Sequence, residues 1–198
     1  NIIIIDGDSF RFQHPRYSIL QKNYGKDSVE YTKKFAGKMV ECLVEKLSDL
    51  GYHLLIEGTL RTVEVPRKTS EILRNKGYTV QLALIATKPE LSYLSTVIRY
   101  EELYAINPEQ ARATPKDYHD RIVENLVKNT HVLEQLGIFK QIQIYQRDRN
   151  CIFDSKEDTI SAATVLQEVL FGKWNQVEKE MLKVGQEKLK ILQKRIDD

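Results

Sequence analysis

Asp6 and Asp8 stand one glycine apart at the end of an unbroken run of four isoleucines, in the stretch NIIIIDGDSF. A carboxylate held in that way can take a proton from a hydroxyl group. A second apolar run, YHLLIEGT, ends in a matching manner on Glu57, Gly58 and Thr59, with Arg61 just beyond. Two further cations lie at Arg99, in STVIRYEELY, and at Arg112, in PEQARATPKDYHD. Phosphoryl transfer needs a base for the acceptor hydroxyl, cations for the charge on the transferred group and a cradle for the phosphates. Asp8 suits the first role and the two arginines the second, with the proline-bounded segment around Arg112 placed to act as a lid. Each residue also has a plain reading. An Asp after a strand is often a turn former or a helix cap. Arg99 can pair with Glu102 three residues on along a helix. Arg112 can be an ordinary exposed loop residue.

An apolar strand followed by D-x-D also opens phosphatases of the haloacid-dehalogenase type. There Asp6 would attack phosphate, Asp8 would handle protons, and Thr87 would end the second motif. That chemistry needs an acidic pair after a later strand, and IQIYQRDR offers only Asp148 beside two arginines.

The elements that must place these groups follow from periodicity. The run Ile2–Ile5 is short, β-branched and without alternation, as in strands buried on both faces of a parallel sheet. YHLLIEGT and TVQLALIAT repeat that grammar, and IQIYQRDR is a more polar version that suits an edge strand. Gly7 and Gly58 allow a turn or a close approach at two of the strand ends. In open α/β sheets ligands bind outside the carboxyl ends of the strands, where Asp8, Glu57 and Thr59 fall. Between the strands lie helical stretches. The first has a D-x-x-E box at Asp27 and Glu30 and apolar residues at Phe35, Met39, Cys42 or Leu43, Leu47 and Leu50, with a stop at Gly51. Others run over Val65–Lys76, about Pro89 to Ala105, and about Pro115 to Leu136. Strands alternating with helices predict an α/β fold. A Lys-, Glu- and Leu-rich tail from about Gln176 to Asp198 reads as a helix on the domain. Val177, Met181 and Val184 lie on one stripe of it, which also suits a partner helix.

The 198 residues carry a net charge of +2, and 29% are charged. No strong basic excess marks a direct nucleic-acid partner. Two cysteines without metal spacing, Cys42 and Cys151, point to a reducing compartment. Cys42 reads as a small core residue. His53, His119 and His131 show no metal spacing, and His14 shapes the turn before Pro15. The expected setting is soluble and cytoplasmic, without a membrane partner.

Four stretches, IIIIDGDSFRFQHP, YHLLIEGTLRTVEVP, SYLSTVIRYEELY and ARATPKDYHD, resemble the zeta toxins of bacterial epsilon/zeta toxin–antitoxin systems, in particular those of the pneumococcal Pez type. The resemblance implies a P-loop-kinase-like parallel sheet flanked by helices. It implies a toxin that moves the γ-phosphate of ATP, with Mg²⁺, onto the 3′-hydroxyl of the N-acetylglucosamine unit of UDP-N-acetylglucosamine, inhibiting cell-wall synthesis. A cognate antitoxin is the implied protein partner. Carried onto matching positions, Asp8 resembles the base, and Arg99 and Arg112 resemble the pair that grips the γ-phosphate. Glu57, Thr59 and Arg61, with Glu41 in GKMVECL and Thr69 in PRKTS, resemble substrate contacts. Glu41 has a competing place on a charged helix stripe near Lys38, and Thr69 can bond back to its own helical turn.

The phosphate cradle of such a kinase, G-x-x-x-x-G-K-[ST], is absent. Gly25, Gly37 and Gly172 are each followed by lysine, but none has a glycine five positions earlier. The expected organisation is a kinase core over residues 1–172, without its P-loop strand and first helix, and a helical tail over 173–198. The P-loop strand is expected in mid-sheet, so the chain alone is expected to be inactive. Three explanations stand open: a second chain supplies the P-loop segment, the sequence lacks a segment of its parent, or the chain is a non-catalytic module that binds sugar nucleotide and antitoxin.

Overall fold

A computed structural model of the chain describes residues 1–108 and 111–194. The fold is α/β, with helices flanking two sheets, β1–β2 and β3–β4–β5. The chain divides into two compact units, residues 1–59 with 102–113, and residues 60–101 with 114–198.

In the first unit, strand β1 (Ile2–Ile5) leads into a 3-10 turn (Gly7–Gln13), helix α1 (Tyr17–Tyr24), helix α2 (Ser28–Asp49) and strand β2 (His53–Ile56). The two strands pair in parallel from Ile2 opposite His53 to Ile5 opposite Ile56, a crossover through α2. Ile5 is buried, but Ile2 and Ile4 are 66% and 62% exposed, so β1 is not buried on both faces. Successive strand side chains face opposite ways, and the single helix packed on this pair, α2, covers one face. The α2 row that is buried is Ser28, Thr32, Ala36, Val44 and Ser48, on one four-residue register whose remaining member, Val40, is half-buried. Phe35, Met39, Leu43 and Leu47 flank it half-buried, while Leu50 and Cys42 are exposed. Cys42 is therefore a surface thiol and not a core residue. The expected capping box also fails to form. Asp27 makes no side-chain cap, because a 3-10 turn at Gly25–Asp27 already feeds the helix. The Ser28 hydroxyl instead donates to the Gln21 side chain at 2.5 Å.

In the second unit, helix α3 (Glu64–Asn75) precedes strand β3 (Gln81–Ile85) and helix α4 (Pro89–Ile106), whose last turn belongs to the first unit. Helix α5 (Lys116–Gln135), strands β4 (Gln141–Tyr145) and β5 (Cys151–Asp154), and helices α6 (Ala162–Phe171) and α7 (Gln176–Lys194) complete it. β3 and β4 pair in parallel; β5 adds antiparallel to the far side of β4. The polar strand IQIYQRDR is thus central, not an edge. Its polarity is accommodated: Gln141 and Gln143 both donate to the Asp154 carboxylate of β5, at 2.6 and 2.8 Å. Ile142 and Ile144 sit in a core with Leu84, Phe153, Leu166 and Leu170. The buried Lys88 ammonium donates to the Gly172 carbonyl at 2.9 Å, tying the start of α4 to the end of α6. A Cβ placed on Gly185 would meet Leu94 at 2.7 Å, so α7 lies close against α4 there. Among the described residues no helix is long and apolar enough to cross a membrane.

Candidate active site

The end of β1 continues straight into the 3-10 turn that carries Asp8. Asp6 caps that turn: its carboxylate accepts from the Asp8 amide at 2.9 Å and from the Ser9 hydroxyl at 2.6 Å. Gly7 between them lies close against α2, where a Cβ would sit 3.3 Å from the Val40 side chain. Burial pushes the Asp6 carboxyl upward. The Ser9 hydroxyl, the Asp8 and Ser9 amides and the Arg112 charge outweigh it and hold the group below its ordinary value. Asp6 is therefore a structural cap.

Asp8 differs. Its side chain is 60% exposed, and one oxygen, Oδ1, receives Nε of Arg11 at 2.6 Å. Arg112 reaches the same residue from the segment after α4, its Nη1 donating to the Asp8 main-chain carbonyl at 3.0 Å. The structure thus brings Asp8 and Arg112 together through the backbone, with the carboxylate itself held by Arg11. Sequence reasoning passed over Arg11. The available signal was its position three residues after Asp8, which a 3-10 turn places on the same face.

Glu57 and Thr59 are exposed beyond β2. The Glu57 amide donates to the Ile5 carbonyl at 3.0 Å, which sets the two strand ends side by side. Gly58 has open space around it and no positive φ. The left-handed residue of this turn is Leu60, with φ 52°. Glu41 on α2 pairs with Lys38 at 3.0 Å, both side chains well exposed. His14 accepts from the Arg16 amide at 3.1 Å and meets the edge of Phe35, which fixes the turn before α1.

Three expected site residues belong to the second unit. Arg61 donates to the Tyr118 hydroxyl at 3.0 Å. The buried Asn129 side chain donates to the carbonyls of Leu60 and Arg61, both at 2.9 Å, and so fixes this loop on α5. Thr69 is half-buried on α3. Arg99 is exposed on α4 and has no hydrogen-bond or ion-pair partner among the described residues, so the pairing with Glu102 does not form.

A triphosphate and its Mg²⁺ do not fit the residues present. Gly37 and Lys38 lie inside α2, Gly25 follows a helix rather than a strand, and Gly172 follows α6 at its carbonyl end, the wrong pole for phosphate. Among the described residues no cluster of three His, Cys, Asp or Glu side chains could hold a metal ion. Asp148, the only acidic residue on offer for a phosphatase metal site, accepts the Asn150 amide at 3.0 Å in the tight β4–β5 turn.

The sequence model of the zeta toxin family matches residues 1–158. Toxin PezT of Streptococcus pneumoniae serotype 4 is 74% identical over 192 residues, which cover 97% of this chain and 76% of that protein. Toxin zeta of Streptococcus pyogenes is 42% identical over 171 residues, 86% of this chain and 60% of that protein. Toxin zeta of Enterococcus hirae is 43% identical over 157 residues, 79% of this chain and 55% of that protein. A solved chain from the PezAT chromosomal toxin–antitoxin system of Streptococcus pneumoniae superposes with a TM-score of 0.88 at 71% identity, covering 97% of this chain and 76% of that one.

Proposed function

The chain belongs to the zeta toxin family, and from that premise we propose that it forms the acceptor side of a toxin kinase acting on UDP-N-acetylglucosamine, silenced by a cognate antitoxin. The reaction proposed is phosphorylation of the 3′-hydroxyl of the N-acetylglucosamine unit, which inhibits cell-wall synthesis. The donor implied by the family resemblance is ATP with Mg²⁺. The residues of this chain do not fit the triphosphate and metal of that donor, so the roles assigned here are limited to the acceptor and the charge on the transferred group.

One observation carries the reading: Asp8 is an exposed carboxylate on a rigid turn, with its backbone held by an arginine. Its second oxygen, Oδ2, is the atom proposed to take the proton of the sugar hydroxyl. A positioned base contributes about 10²–10⁴ in rate. Arg112, beside Asp8, and Arg99, exposed on α4, are proposed to balance the charge on the transferred group. Glu57 and Thr59 at the adjacent strand end, with Arg61 held by Tyr118 and Asn129, are proposed as sugar-nucleotide contacts. Glu41 and Thr69 complete that set; the surface ion pair of Glu41 makes it the member most open to exchange.

The experiment is the Asp8→Asn variant of the full-length gene product, assayed for phosphorylated UDP-N-acetylglucosamine. The expected result is a loss of about 10²-fold or more in kcat with an unchanged thermal melt. Equal turnover by variant and wild type removes Asp8 from this role.

A further inference from the structure

We propose that Arg11 is the positioning residue of the base, locking the Asp8 carboxylate to α2 so that a single oxygen is presented to the acceptor hydroxyl. The proposal rests on the assignment of Asp8 as proton acceptor.

An aspartate on a short turn, 60% exposed, has little of its own to fix its rotamer. Arg11 supplies the constraint. Side chains three apart eclipse in a 3-10 turn, which brings Arg11 Nε to 2.6 Å from Asp8 Oδ1. The same guanidinium turns Nη1 towards α2, donating to the Val29 carbonyl at 2.9 Å and to the Thr32 hydroxyl at 3.1 Å. Thr32 is fully buried, and its hydroxyl also reaches the Ser28 carbonyl at 3.1 Å. Arg11 is itself only 17% exposed. The planar fork therefore runs as a stiff bridge from the helix to the carboxylate.

A plain surface ion pair is the competing account. Such pairs contribute about 0–1 kcal/mol, and they need no second anchor. Here one guanidinium serves three acceptors, two of them on α2. With Oδ1 taken, Oδ2 is the oxygen left for the proton. Arg112 acts on the other half of the residue, gripping the Asp8 carbonyl. Side chain and backbone of the base are thus fixed by separate arginines. A lysine at position 11 would keep the charge but could not span both partners, since its ammonium is a point donor without a fork.

The test compares Arg11→Gln, Arg11→Lys and Asp8→Asn in the full-length gene product, with UDP-N-acetylglucosamine, ATP and Mg²⁺. Misplacement of a reacting group by about 1 Å can cost about 10²-fold. Arg11→Gln is expected to lower kcat by about that factor, with KM for UDP-N-acetylglucosamine unchanged. Arg11→Lys is expected to give no rescue while melting with the wild type. A crystal structure of Arg11→Lys is expected to show the Asp8 side chain in a new rotamer or in several. Wild-type kcat in either Arg11 variant, alongside an inactive Asp8→Asn, overturns the positioning role and leaves the base assignment standing. Full activity in Asp8→Asn overturns the base assignment itself. A rise in KM at constant kcat in Arg11→Lys places Arg11 in substrate binding and also overturns the proposal.

Discussion

The Asp6 carboxylate takes the Asp8 amide and the Ser9 hydroxyl, whereas the carboxylate of Asp8, two residues on, takes only the Arg11 guanidinium among the described residues and is 60% exposed. The response of Asp6 to acid follows from this. Burial works to raise the Asp6 carboxyl, but the Ser9 hydroxyl, two amides and the Arg112 charge hold it below its ordinary 3.8. A carboxyl held low in the folded state contributes stability that is complete above its unfolded value and is lost as pH falls through the folded one. Asp6→Asn should therefore flatten the loss of stability below pH 3.8, read from urea unfolding at a series of pH values. Superimposable acid limbs for variant and wild type would contradict the cap. The sequence announced both aspartates, since apolar run and acid meet at a strand end. It hid Arg11, because the pairing depends on the stretch after β1 winding as a 3-10 turn rather than running as a loop. It also hid the identity of the buried α2 row. Hydrophobicity pointed to Cys42 and Leu50, while the face that is buried carries Ser28, Thr32, Ala36, Val44 and Ser48, three of them hydroxyl residues that an apolar pattern does not mark.

Among the elements, the loop after β2 stores the clearest backbone strain. Leu60 has φ 52°, a conformation that costs a side-chain-bearing residue about 1–2 kcal/mol. Asn129 of α5 offsets it by donating to the two successive carbonyls of Leu60 and Arg61. Asn129→Ala should destabilise the protein by about 1–3 kcal/mol, since it removes the partner of both carbonyls. Leu60→Gly in that background should give a further loss smaller than Leu60→Ala, because the Leu60 side chain packs against the core while glycine, unlike alanine, adopts positive φ freely. Chemical denaturation of the single and double variants measures both, and purely additive effects would dissociate Asn129 from the strain. The long helices α2, α3, α4 and α5 were legible from periodicity and glycine stops, within one or two residues at most ends. Strand β5 and helices α1 and α6 were not. β5 has four residues and α6 only ten, runs too short for a period to stand out in the sequence. The central place of β4 was also invisible, since it depends on Asp154 arriving from β5 to serve two glutamines.

Across the whole chain, the residues proposed for the site divide between the two units, with Asp8, Glu41, Glu57, Thr59 and Arg112 in one and Arg61, Thr69 and Arg99 in the other. No stretch of the 198 residues carries a glycine-lysine phosphate cradle. Incubated with ATP, Mg²⁺ and UDP-N-acetylglucosamine, these 198 residues alone should therefore release no ADP above background. Robust turnover would place a phosphate cradle among residues given other roles here. The sheet partners and the split into units depend on which strands meet, which local sequence does not encode, whereas the alternation of strands with helices carried the α/β class. The thiols supply a means to watch the two halves. Cys42 lies in the first unit and Cys151 in the second, both unpaired and open to solvent. With no other cysteine in the sequence, one maleimide reaction would mark each unit once. A donor and acceptor dye, or two nitroxides, would then report the separation of the halves as UDP-N-acetylglucosamine is added, without a single engineered residue.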